Sequence, residues 1–301
     1  MTPRTALEHR QREKRMSAKT IVITGTASGF GQLSVRRFSE AGWNVVATVR
    51  KETDLDTHAA MENVKTLLLD VDDEQADLAF GELAQSQFGR VDALINNAGY
   101  FQSGPLEATT MDQAHRQFQT NVFGLIALNK AFIPIFREQR SGVIVNVSSI
   151  SADGGYPYNS VYQASKAAVA SLTEGLHAEL SGFGVLVKAL HPGAMATKIY
   201  SKIDGAQNVP EDYDASWKAF TSLNMILSDP EITAEAMYRM VIDGDTRKVH
   251  YYSGPDGEAT PRVKQLLGQD WYFEELSARN RNEATPLWEA LMPHPKSTAR
   301  N

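Results

Sequence analysis

The chain has 301 residues, 42% of them hydrophobic, with a net charge of −6 and no cysteine. That length supports a sizeable core, in one large α/β domain or two smaller ones. The composition excludes a disulfide framework and a thiolate metal site, no apolar run reaches the roughly 18 residues of a membrane span, and the acidic balance gives no case for nucleic acid.

The 36 acidic side chains show no spacing that suggests a metal site. A cysteine-free chain fits a reducing, cytoplasmic setting. Residues 1–19 carry Arg4, Arg10, Arg12, Lys14, Arg15 and Lys19 against Glu8 and Glu13. This head lacks the apolar stretch of a signal peptide. It reads as a flexible basic tail, with Met16 as an alternative start, ahead of a single domain over 20–301.

Thr20 to Thr24 is a short β-branched run, read as a buried strand. It enters the turn Gly25-Thr26-Ala27-Ser28-Gly29-Phe30-Gly31, followed by a helical pattern to Ala41. Strand, glycine turn and helix form the setting in which such glycines bring backbone close to a pyrophosphate at a helix N-terminus. Asn44–Val49 reads as the second strand, followed at once by Arg50 and Lys51 and a short polar helix. Val64–Leu69 is the third strand, ending in Asp70, and 73–88 an amphipathic helix. Val91–Ile95 is the fourth strand, closing on Asn96-Asn97-Ala98-Gly99. One long helix is expected over 111–138, containing Asn121. Gly142–Val147 is strand five and delivers Ser148 and Ser149. A helix covers 159–181, and strand six, Val185–Leu190, runs into His191-Pro192-Gly193.

The alternation implies a doubly wound parallel sheet with right-handed crossovers. Ligands of such sheets sit beyond the carboxyl ends of the strands, where Gly25, Asp70, Asn97, Ser149 and Pro192 all fall. Residues 194–229 lose the pattern and carry Tyr200, Tyr213, Trp217 and Phe220. They read either as a lid over the site or as a pair of surface helices. A helix over 231–243 and a seventh strand, Val249–Tyr252, follow. The extension 254–301 suits short helices packed on the body or on a partner subunit, with a frayed end from Pro293.

Tyr162 and Lys166 stand four apart on one helix and so share a face. A free phenol titrates near pH 10, and a neighbouring ammonium favours the phenolate. Such a pair is suited to moving a proton to or from an alcohol or carbonyl oxygen. Ser149, thirteen residues earlier, offers a hydroxyl for the same oxygen; Ser148 is the alternative. Asn121 also reads as a plain buried helix asparagine, His191 as structural and Asp153 as solvated.

Together these motifs resemble the short-chain dehydrogenase/reductase superfamily in its short, single-domain form. The resemblance covers about 20–253 and rests on Thr24-Gly25-xxx-Gly29-x-Gly31, Asn96-Asn97-Ala98-Gly99, Asn121, Ser149, Tyr162-xxx-Lys166 and Pro192-Gly193. It implies an α/β, Rossmann-type, seven-stranded parallel sheet in the order 3-2-1-4-5-6-7. It implies Tyr162 as general acid or base, Lys166 as the residue that lowers its pKa and binds the nicotinamide ribose, Ser149 on the substrate oxygen, and Asn121 on a water that feeds a proton relay. For the cofactor it implies Gly25, Ser28, Gly29, Phe30 and Gly31 at the pyrophosphate, Asp70 and Val71 at the adenine, and Asn97, Ala98 and Gly99 along the dinucleotide. Pro192, Gly193 and Thr197 would wrap the carboxamide. Val49 stands where relatives selective for NAD place an aspartate. With Arg50 next to it, the expectation is NADP(H), with NAD as the alternative.

The resulting reading is an oxidoreductase that interconverts an alcohol and its ketone or aldehyde. Phe101, Tyr156, Tyr158 and Met195 are expected to form an apolar pocket for a small hydrophobic substrate. A homodimer or homotetramer through the helices at 111–138 and 159–181 is expected, because both carry apolar residues on more than one face. A catalytically idle cofactor sensor competes with this reading but has no need of Ser149, Tyr162 and Lys166 together. A sugar-nucleotide epimerase would show different glycine spacing and a larger C-terminal domain.

Overall fold

The computed structural model describes residues 18–221, 227–281 and 283. The basic head through Met16 and the end from Pro293 lie outside the described residues. The strands are β1 Thr20–Ile23, β2 Asn44–Val49, β3 Val64–Leu68, β4 Ala93–Asn96, β5 Gln102–Ser103, β6 Gly142–Val147, β7 Val185–Pro192, β8 Asp204–Gly205 and β9 His250–Ser253. The helices are α1 Gly29–Glu40, α2 Glu74–Phe88, α3 Met111–Phe118, α4 Gly124–Gln139, α5 Ser151–Gly154, α6 Ser160–Leu180, α7 Asp214–Thr221, α8 Glu231–Ile242, α9 Pro255–Leu267 and α10 Gln269–Asn280.

The main sheet has seven strands in the order β3-β2-β1-β4-β6-β7-β9, and every pairing is parallel. With the two-residue strands β5 and β8 set aside, this is the order that the resemblance implies. Parallel strands are covered on both faces, which is why β1 and β2 read as unbroken apolar runs and are buried throughout. Alternate side chains serve opposite layers. Ile21, Ile23, Val45 and Ala47 pack against Val35 and Phe38 of α1 and Met237 and Met240 of α8. Val22, Val46, Leu94 and Ile144 pack on the other side, with Phe80 of α2 and Leu128 and Phe132 of α4.

The helix expected over 111–138 is not continuous. A capping box between Thr110 and Gln113 starts α3. The ladder then widens into a π turn over Gln119–Phe123 before α4 begins. Gly124 allows the close passage here, since a Cβ would collide with the Val71 carbonyl. A π turn inside a helix commonly marks a functional position, and this one buries Asn121.

The described part of residues 194–229 holds one α-helix, α7, short 3-10 turns at Tyr200–Lys202 and Glu211–Tyr213, and a strap formed by β8 pairing with β5. Asp204 in the strap accepts from Gln113 at 2.9 Å and from Arg116 at 3.0 Å. In the extension, α9 and α10 pack on the body of the same chain. The fully buried Tyr272 donates its hydroxyl to the Gly154 carbonyl at 2.8 Å.

Asp77 of α2 is fully buried, and neither carboxylate oxygen has a hydrogen-bond partner among the described residues. Burial, then the charge of Asp73, Asp70, Asp72 and Glu74, pushes its pKa up to about 7. A carboxyl whose folded pKa is raised binds its proton more tightly than the unfolded chain does. Its contribution to stability is therefore complete at acid pH and is lost as pH rises through about 7. Asp77→Asn should stabilise the protein increasingly between about pH 4 and 7, by up to about 4 kcal/mol above that range. Denaturant unfolding of both proteins at acid and alkaline pH checks this, and a difference that does not grow with pH would dismiss the charge as its cause.

Candidate active site

Thr24 follows β1, and its hydroxyl accepts the N–H groups of Asn97 and Ala98, each at 3.0 Å. The Asn97 amide returns to the carbonyls of Thr24 at 2.8 Å and Gly25 at 3.1 Å. The glycine turn and the Asn97-Ala98-Gly99 turn are thereby tied into one floor. Gly25 has φ +68°, and a Cβ there would press on Ala98. A Cβ on Gly31 would strike the Gly25 carbonyl, so α1 can start this close to β1 only with glycine there. The next strand braces the turn as well, because Thr26 donates its N–H and hydroxyl to the Thr48 carbonyl at 2.9 and 3.0 Å.

Ser28 caps α1 without a side-chain cap bond, and no acidic residue sits in the first turn. Those N–H groups and the dipole suit a phosphate. Phe30 packs partly buried against the core beneath them. Thr197 approaches from the opposite side, 3.6 Å from where a Gly29 Cβ would stand. Arg50, just past β2, is exposed and in no ion pair among the described residues, whereas Val49 is buried. Asp70 is exposed and Val71 buried at the end of β3. A glycine cradle, an uncapped helix start and a free guanidinium fit a dinucleotide phosphate group.

The second half of the site lies beyond β6 and β7. Tyr162, Lys166 and Ser149 are all buried. The Ser149 hydroxyl lies close enough to the Tyr162 hydroxyl to hold its pKa down, and its Oγ accepts the Ser151 N–H at 3.1 Å. The Ser148 hydroxyl is spent elsewhere, on the Lys166 carbonyl at 2.8 Å. Ser148, the alternative to Ser149 in the sequence, is thus committed to the backbone. Lys166 donates from Nζ to the Val147 carbonyl at 2.9 Å. Asn121 reaches Tyr100 and Ser165: its Oδ1 accepts the Tyr100 N–H at 3.1 Å and its Nδ2 donates to the Ser165 hydroxyl at 3.2 Å. A Cβ on Gly99 would touch Asn121 Oδ1 at 3.0 Å and Lys166 Nζ at 3.6 Å, so the three converge.

The electrostatics differ from the expectation that lysine depresses the phenol. Burial raises the Tyr162 pKa, opposed by the Ser149 hydrogen bond. Burial also lowers Lys166, to about 8. Desolvation disfavours each charged form, and the ammonium is 5.9 Å from the Tyr162 ring centre, engaged with Val147.

Phe101 meets Tyr162 edge-on, with centroids 4.7 Å apart, and Tyr200 meets Phe101 at 6.4 Å. Met195 is buried beside the start of α9. Tyr156 and Tyr158 are committed to packing instead. Tyr156 joins Val263, Tyr272 and Leu276, with its hydroxyl 3.2 Å from Thr260. Tyr158 bonds Ser216 and packs on Trp217.

Sequence reading missed two features here. Asp256 of α9 accepts the Ala194 N–H at 2.6 Å and packs on Gly193, so the extension supports the Pro192-Gly193 turn. Beneath the floor, Asn96 donates to Asn129 and Asn146, and Asn146 donates to Thr173 at 3.0 Å. Polar residues at apolar-looking strand and helix positions were the available signal.

A model of the family described as short chain dehydrogenase matches residues 19–208. The chain belongs to this family. The oxidoreductase YusZ of Bacillus subtilis is 33% identical over 267 residues, covering 84% of this chain and 95% of YusZ. The structure of ElxO with NADP bound is 25% identical with a TM-score of 0.66, covering 77% of this chain and 95% of ElxO. The 3-ketoacyl-(acyl-carrier-protein) reductase of Brucella melitensis, complexed with NADH, is 28% identical with a TM-score of 0.67, covering 78% and 95%. This short-chain dehydrogenase is accordingly an oxidoreductase acting on a CH–OH group. No helix among its described residues is long and apolar enough to cross a membrane.

Proposed function

We propose that this short-chain dehydrogenase interconverts a hydrophobic alcohol and its ketone or aldehyde with NADP(H), using Tyr162 as the acid and base. The observation that carries this reading is the buried triplet of Tyr162, Ser149 and Lys166 next to a glycine cradle suited to a phosphate. When bound, the nicotinamide supplies or accepts the hydride. The remaining work falls to the chain's own residues. Ser149, fixed by the Ser151 N–H, donates to the carbonyl oxygen and orients it. Tyr162 gives that oxygen its proton in reduction and takes it back in oxidation. Its raised pKa keeps it a phenol at neutral pH, ready to donate. Lys166, with a pKa near 8, can gain or lose its proton close to neutrality and so replenish Tyr162. Asn121 holds the Tyr100 backbone and the Ser165 hydroxyl around that lysine.

Phe101 and Tyr200 support an apolar substrate, since their aromatic edges lie beside Tyr162. For the cofactor, Arg50 supports NADP(H): its exposed fork can hold a 2′-phosphate with paired, charge-assisted bonds. The relatives noted above carry NADP in one case and NADH in the other. A homodimer or homotetramer is proposed through α4 and α6. Most of their apolar residues are consumed within the chain, Leu128 and Phe132 against the sheet and Leu125 and Val169 against each other. Phe123, 47% exposed, is left for a partner copy.

Three measurements test these statements. Tyr162→Phe should lose at least about 10²-fold in turnover, the contribution of a positioned acid–base group, while still binding cofactor; Lys166→Ala should lose both. Turnover near that of the wild type in Tyr162→Phe would end the assignment. Arg50→Ala should reduce the kcat/KM preference for NADPH over NADH by about 1.5–3 kcal/mol, the worth of a hydrogen bond to a charged group. An unchanged preference would take Arg50 out of the site. Light scattering at micromolar concentration should give twice or four times the chain mass, and a monomer would reject the assembly.

A further inference from the structure

A chain of hydrogen bonds that the Tyr162–Lys166 chemistry does not use ends on the backbone of Ser149. His191, in β7, places Nδ1 3.1 Å from the Ser149 carbonyl oxygen. Its Nε2 is 2.9 Å from Nδ1 of His250 in β9. Nε2 of His250 is 3.0 Å from Oε1 of Glu174 on α6. The Ser149 carbonyl also accepts the Ala152 N–H at 3.0 Å, so this oxygen is a fixed point of the turn that carries the Ser149 hydroxyl. His191 is buried and stacks on Tyr252 with centroids 4.9 Å apart. A cavity of about 340 Å³ lies beside the two histidines, lined also by Glu174, Asp153, Tyr252 and Ser171.

Donor counting restricts the protonation states. A carbonyl only accepts, so His191 carries its proton on Nδ1. Burial keeps this ring neutral, drawing its pKa down to about 4 against the opposing Ser149 bond. Neutral His191 then presents a lone pair on Nε2, which requires a proton on Nδ1 of His250. The Glu174 carboxylate requires another on Nε2 of His250. An imidazole that donates from both nitrogens is the cation. With one proton removed, all three bonds cannot persist, because Glu174 and His191 compete for the single N–H. Where the carboxylate takes it, His191 must donate from Nε2 instead, and its Nδ1 releases the Ser149 carbonyl.

We propose that His191 and His250 are positioning residues for Ser149, and that the protonated His250, held against Glu174, keeps the Ser149 turn in its working geometry. The proposal rests on the role given to Ser149 above. Because the chain ends on a carbonyl, it passes no proton to substrate and acts by orientation alone. The other titratable and charged groups around the histidines are Asp153 of α5, paired with Lys264 of α9, and Tyr252 of β9, whose pKa burial raises.

The test combines imidazole nitrogen NMR of the labelled protein with kcat and KM against pH, in wild type, Glu174→Gln and His250→Phe. In the wild type, His191 should hold its proton on Nδ1 while His250 is doubly protonated. As His250 loses a proton, His191 should change tautomer and kcat should fall roughly tenfold or more, the scale of a small misplacement at a reacting group, with cofactor KM unchanged. Glu174→Gln removes a surface counter-charge without disturbing the core, and should move both midpoints to lower pH. His250→Phe should abolish that limb and leave kcat at the wild type's alkaline plateau. A His191 proton on Nε2 at every pH, or a His191 tautomer midpoint that Glu174→Gln does not move, would overturn the proposal. The tautomer change without any dehydrogenase turnover would count against the Ser149 reading instead.

Discussion

Parallel pairing of β1, β4, β6 and β7 is the constraint on which the rest depends. It brings four carboxyl ends to one edge, and each end carries a different part of the site: Gly25, Asn97, Ser149 and Pro192. Backbone bonds extend the pairing past the strands proper, with the Thr24 N–H on Ile95 at 3.1 Å and the Ser148 N–H on Leu190 at 2.7 Å. Lys166 then takes the Val147 carbonyl at the end of β6, which docks α6 against the sheet and sets Tyr162 opposite Ser149. The triplet of Tyr162, Ser149 and Lys166 is therefore held by the sheet beneath it, in keeping with the advantage of building sites on regular elements.

The sheet order and most element positions were legible because they rest on periodicity. A buried parallel strand such as Asn44–Val49 must be apolar on both faces, and the helices between strands must keep one apolar stripe. The motif residues were legible for a related reason, since glycine at positions 25 and 31 is demanded by backbone contacts that no other residue tolerates. Less was legible where a long-range partner decides the local conformation. The break at Asn121 follows from Gly124 passing the Val71 carbonyl, a contact with a loop about fifty residues earlier in the chain. The strap at Asp204–Gly205 exists because β5 offers two free backbone positions, which no pattern within 194–229 reveals. Tyr156 read as a pocket residue with Phe101, Tyr158 and Met195, but α9 and α10 supply a cluster that claims it.

The buried Asn96–Asn146–Thr173 network shows what holds the floor of the site in place. An apolar core at this depth would tolerate small shifts between α4, α6 and the sheet. The amide and hydroxyl bonds of the network resist them, because each broken bond leaves a buried polar group unpaired at a cost of about 1–3 kcal/mol; only the Asn96 amide oxygen among them has no partner among the described residues. The network joins β4, which leads into Asn97, to β6, which leads into Ser149, and to α6, which carries Lys166. It thus couples the cradle half of the site to its catalytic half through geometry alone.

Desolvation then determines how the triplet handles its proton. Burial moves Tyr162 upward and Lys166 downward, so the site favours the neutral form of each. In the mechanism proposed above, a neutral Tyr162 would hold its proton where a carbonyl oxygen could receive it, and Ser149 would stabilise the phenol oxygen once the proton leaves. An isolated surface pair with the same four-residue spacing would have its ammonium in water and its phenol titrating near 10. The spacing of Tyr162 and Lys166 provides only the shared face. Their chemistry comes from the sheet edge that buries both and from the Val147 carbonyl, which holds the lysine in place while its charge is in play.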